Sequence, residues 1–62
     1  MTIEEFRIAI FQAMLAIKDN DGNQKIDEKE ARELLQTFTD DDLEFGIQFD
    51  TPEEIASMLV NE

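Results

Sequence analysis

The sequence predicts an all-α fold, and three observations carry that expectation. Thr2 and Glu5 form a capping-box pattern ahead of a long apolar run at helical spacing. Ala31, Leu34, Leu35 and Phe38 recur at the spacing of a second amphipathic helix. Thr51, Pro52 and Glu54 supply a cap, a first-turn proline and a capping-box glutamate for a third. At 62 residues the chain is one domain, and so small a domain buries a low fraction of the surface that its unfolded chain exposes. There is no cysteine to form a disulfide, so a bound metal or a partner is the remaining staple. The missing cysteines also fit a reducing, cytoplasmic setting.

The first helix is expected over residues 2–18. Its apolar residues cover an arc of roughly 200° at about 100° per residue, wider than one core requires. Glu4, Arg7 and Lys18 split that arc into two stripes. One holds Ile3, Phe6, Ile10, Met14 and Ile17, and the other holds Ile8, Phe11 and Leu15. Either helices on both sides bury the two stripes, or one stripe meets another chain. The early glutamates, with Arg7 and Gln12, argue against a signal peptide or a membrane span. A polar stretch with Gly22 then ends the helix near Lys18, and a second helix is expected over 28–38. Leu43, Phe45, Ile47 and Phe49 alternate with polar residues and glycine, which predicts a short extended segment at about 45–49 within a loop-like stretch 39–50. The last helix is expected over 52–60, with Ile55, Met58 and Leu59 facing inward.

The net charge of −11 makes nucleic-acid binding improbable and favours cations and basic partners. It is uneven: residues 1–32 carry seven acids and all five bases, whereas residues 33–62 carry nine acids and no base. The acidic half reads as a solubility device, with an acidic inhibitor or nucleic-acid mimic of a basic target as the remote alternative.

Residues 19–30, DNDGNQKIDEKE, concentrate charge at regular intervals. A hard divalent cation such as calcium takes six to eight oxygen ligands, which a chain supplies by wrapping around the ion with oxygens at alternating positions. With Asp19 in the first slot, Asp21, Asn23, Asp27 and Glu30 fall in the third, fifth, ninth and twelfth. Lys25 in the seventh would offer its backbone carbonyl. Ile26 stands where the chain turns a side chain into the core, and Gly22 assists the turn. The alternative is a solvated acidic turn that binds nothing.

This pattern resembles the EF-hand family over residues 3–38, and the flanking apolar positions agree with it as well: Phe11, Met14 and Leu15 before the loop, and Ala31, Leu34, Leu35 and Phe38 after it. The resemblance implies a helix-loop-helix that binds calcium, with magnesium as a competitor. Two residues depart from the family's pattern. Gln24 occupies the sixth slot, where the family nearly always has glycine at positive φ, and a left-handed residue with a β-carbon costs about 1–2 kcal/mol. Lys18 precedes the loop, where an apolar residue is usual. EF-hands usually pair, and residues 39–62 are expected to act as a truncated, metal-free pseudo-hand whose extended segment around Ile47 backs the calcium loop. If that segment does not back it, two chains would pair their loops as a homodimer.

The function expected is that of a calcium sensor or buffer in which the exit helix is repositioned, with Ile8, Phe11, Met14, Leu15, Leu34, Leu35 and Phe38 as the candidate surface for a protein target. The alternative is a calcium-independent helical interaction module with a structural ion. An enzyme is disfavoured: histidine, cysteine and tyrosine are absent and Ser57 is the only serine.

Overall fold

In the computed structural model, which describes residues 2–60, the Thr2 hydroxyl accepts the Glu5 N–H and the Glu5 carboxylate accepts the Thr2 N–H, both at 3.1 Å. This capping box starts helix α1, Ile3–Ala16. The helix stops two residues short of the expected end, because Ile17 turns extended (φ −73°, ψ 129°). Asp27 caps α2, Glu28–Gln36, by accepting the Glu30 N–H at 2.8 Å. Its last turn is closed by the Thr37 hydroxyl, which donates to the Leu34 carbonyl at 2.7 Å. Pro52–Val60 forms the C-terminal helix, with the Thr51 hydroxyl accepting the Glu54 N–H at 3.2 Å.

Between them the expectation of an extended segment at 45–49 is overturned: Asp40–Phe49 is helix α3, so the C-terminal helix is α4. A second capping box decides the outcome. The Thr39 hydroxyl accepts the Asp42 N–H at 3.2 Å, and the Asp42 carboxylate accepts the Thr39 N–H at 3.1 Å. Three acids then occupy a first turn whose backbone dipole favours negative charge. Read at helical spacing, the apolar residues of this stretch separate differently: Leu43 and Gly46 are buried, Ile47 is half-buried, and Phe45 and Phe49 face outward. Their rings lie 4.8 Å apart, as expected for an i, i+4 pair. With α3 helical, no strand among the described residues of this half pairs with residues 19–30.

The fold is all-α, built around α1, which packs against each of the other helices and most extensively against α4. Phe6, Ile10 and Met14 form the buried spine of α1. Around them lie Ile26 from the loop, Ala31 and Leu35 from α2, Leu43 from α3, and Ile55, Ala56 and Leu59 from α4. Each large side chain buried here contributes about 1.5–3 kcal/mol relative to exposure. Among the described residues no polar side chain is buried with them. Gly46 allows α3 to approach closely, since a β-carbon there would sit 2.8 Å from Ile55 Cδ1 and 3.4 Å from Phe6 Cε2. At the surface Arg7 of α1 reaches Asp40 of α3 at 2.9 Å. Among the described residues no helix is long and apolar enough to cross a membrane.

Candidate metal centre

Residues 17–25 form a small hairpin between α1 and α2. Lys18 and Gln24 make an isolated antiparallel bridge, flanked by the Asp19 N–H donating to the Asn23 carbonyl at 2.8 Å and the Lys25 N–H donating to the Ile17 carbonyl at 3.1 Å. Inside it the Gly22 N–H donates to the Asp19 carbonyl at 3.1 Å. Asp19 organises the turn through its side chain, Oδ1 accepting the N–H groups of Asp21 at 2.9 Å and Asn23 at 3.0 Å.

The left-handed position lies elsewhere than the resemblance implies. Gly22 takes φ +83°, and among the described residues no other residue type has positive φ. Gln24 is not left-handed in this structure. Its side chain serves the end of the helix instead, with Nε2 donating to the Leu15 carbonyl at 3.1 Å. That carbonyl lies in the last turn of α1, where the helix leaves its own acceptors without intrahelical donors. Gln24 thus fastens the hairpin to the helix end through its side chain, while the backbone bonds on either side of it are made by its neighbours.

Asp19, Asp21 and Asn23 lie on the hairpin, and Lys25 follows at its base. Asp27 and Glu30 lie at the start of α2, where they are coupled by the bond from the Glu30 N–H to Asp27 Oδ1. All of these side chains are exposed, while Ile26 between the two groups is buried, as its place in the pattern predicts. The donor set is wholly oxygen, with no imidazole or thiolate, which suits a hard cation. The donors do not stand together: among the described residues no three acids lie close enough to hold a metal ion.

The candidate partner surface is divided. Ile8 is 51% exposed, and Phe11, Leu15, Leu34 and Phe38 are half-buried. Ile8, Phe11 and Leu15 line a groove between α1 and α2 with Arg7, Arg32 and Leu35. The Arg32 guanidinium stands over the Phe11 ring, 5.9 Å from its centre. Met14 and Leu35 lie in the core here: Met14 is wholly buried and Leu35 is 6% exposed. Met58 departs from its expected place, pointing outward rather than inward. Phe45, Phe49 and Met58 are all exposed, and the signals for them in the sequence are the i, i+4 spacing of the two phenylalanines and the adaptable side chain of Met58. No family model matches the chain, and no curated protein or solved structure matches it.

Proposed function

We propose that this chain is a small calcium-binding protein of the EF-hand type. The observation that carries the reading is the spacing of oxygen donors at Asp19, Asp21, Asn23, Asp27 and Glu30, along a segment that joins two packed helices and is anchored by the buried Ile26. The carbonyl of Lys25 completes the proposed set. Bound calcium would supply the positive centre that neutralises these carboxylates, and a bidentate Glu30 favours it over magnesium, which prefers a strict octahedron and keeps its waters.

Because the donors lie in two groups, Asp19, Asp21 and Asn23 on the hairpin and Asp27 and Glu30 on α2, closing the site means bringing the two together. Glu30 belongs to the rigid first turn of α2, so its displacement carries the helix with it. Ala31 and Leu35 then shift against α1, and the groove beside Phe11 and Leu15 opens or orders. A sensor follows if this changes apolar exposure, and a buffer follows if it does not.

Calcium titration followed by calorimetry and heteronuclear NMR tests the reading, with Glu30→Gln as the variant. One ion per chain is expected, with shifts across residues 19–30, and Glu30→Gln is expected to weaken both affinity and spectral change. No saturable binding at millimolar calcium would defeat it. A second reading is favoured by the Ile8, Phe11 and Leu15 groove: a calcium-independent interaction module, which would hold its protein target equally well in chelator. A homodimer through paired loops is distinguished by gel filtration with and without calcium.

A further inference from the structure

Phe45, Phe49 and Met58 are 65%, 67% and 59% exposed, an unusual grouping of large apolar side chains in a chain this small. They are contiguous rather than scattered. The two rings are in contact, and Phe45 and Met58 line one cleft between α3 and α4, with Phe38, Gly46 and Ile55 also lining it.

The charge around this cleft has one sign. Asp42 and Asp50 line it directly. Asp41 lies four residues before Phe45, and Glu54 four before Met58, so each shares a helix face with an exposed apolar residue. Residues 33–62 contain no lysine or arginine to offset these acids. Arg7 is engaged with Asp40, at the far end of α3 from Phe49.

We infer that the α3–α4 cleft is a docking site for a cationic amphipathic segment of a partner protein, with apolar side chains entering beside Phe45, Phe49 and Met58 and lysine or arginine facing Asp41, Asp42, Asp50 and Glu54. Charge complementarity selects this occupant over two others. A second copy joined face to face would bring two acidic rims together, and an anionic lipid surface would meet the same repulsion. The site touches the helix-loop-helix of residues 3–38 only at its end, through Thr37 and Phe38, and none of the proposed calcium ligands lines it, so titration in chelator tests the inference separately from calcium binding.

The probe is a synthetic helical peptide of lysine and leucine, with a glutamate–leucine peptide of identical spacing as control, titrated in chelator by fluorescence anisotropy and heteronuclear NMR. The lysine peptide is expected to bind saturably and to shift residues 38–58 while leaving 19–30 unmoved. Phe45→Ala with Phe49→Ala, at exposed helical positions that tolerate alanine, is expected to weaken binding about tenfold or more without lowering the unfolding midpoint. Asp41→Asn with Glu54→Gln is expected to weaken it and flatten its salt dependence. Lack of saturation by about 1 mM peptide overturns the inference. So does equal binding of both peptides, or a phenylalanine variant that binds as tightly as the parent. Self-association that disappears in the phenylalanine variant would assign the cleft to a second copy and overturn it as well.

Discussion

Replacing Gln24 separates two accounts of the hairpin that predict opposite signs. If Gln24 were held left-handed, glycine would relieve about 1–2 kcal/mol and stabilise the protein. The structure puts positive φ at Gly22 and gives Gln24 a bond from Nε2 to the Leu15 carbonyl at 3.1 Å. Gln24 is exposed, so losing that bond in Gln24→Ala is worth the lower part of the usual range, about 0.5–1 kcal/mol. Gln24→Gly adds about 0.4–1 kcal/mol through the freedom gained by the unfolded chain, for a total of about 1–2 kcal/mol. A domain of this size has about 3–9 kcal/mol to lose, and its midpoint moves about 4–8 °C per kcal/mol. Thermal unfolding by circular dichroism in chelator should therefore show Gln24→Gly melting about 4–16 °C below the parent, with Gln24→Ala between them. A glycine variant that melts at or above the parent temperature would refute the capping role. Calcium affinity should move the other way if closure of the site turns residue 24 left-handed, rising about 5- to 30-fold in Gln24→Gly.

Gly46→Ala should destabilise the fold despite the better helix propensity of alanine. The new β-carbon meets Ile55 Cδ1 at 2.8 Å, and overpacking of about 1–3 kcal/mol outweighs a propensity gain of about 1 kcal/mol. Adding Ile55→Val, which removes that methyl, should recover part of the loss in denaturant unfolding. The Thr2 N–H, and then the Thr2 hydroxyl, hold the Glu5 carboxyl below its ordinary 4.5. The capping box is thus fully formed above about pH 4.5 and is lost as pH falls through the lowered value. Relief of acidic repulsion acts in the opposite sense over the same range, so the expected result is local: the Thr2 and Glu5 amide resonances lose their capped shifts before the rest of α1, and Thr2→Ala removes that early transition.

What could be read from the sequence depended on whether neighbouring signals agreed. At Thr2 and Glu5, cap and apolar spacing pointed the same way, and α1 followed. The segment between α1 and α2 could be placed because its polar residues and Gly22 interrupt the apolar spacing, and Ile26, placed by the donor register, is buried. Residues 43–49 misled because four alternating apolar residues fit a strand, and Gly46 lowers helix propensity, while Thr39 and Asp42 were already a capping box with aspartate in place of glutamate. Tertiary contact settles it, as Gly46 is the close approach of α3 to Ile55 and Phe6. The role of Gln24 was hidden for a related reason. Its acceptor, the Leu15 carbonyl, is a backbone group that no side-chain pattern reveals.

The central position of α1 limits how the loop can be used as a part. Residues 3–38 have the outline of a transferable cassette, but α1 packs most extensively against α4 and also against α3, both beyond the cassette's end, in the core that holds Phe6 and Ile10. Excised at residue 38, the segment would expose that core to water and lose the support that holds the hairpin between two packed helices. Grafting the loop into another scaffold therefore means carrying α4 with it or supplying a substitute wall, and the smallest portable unit reaches at least to Leu59.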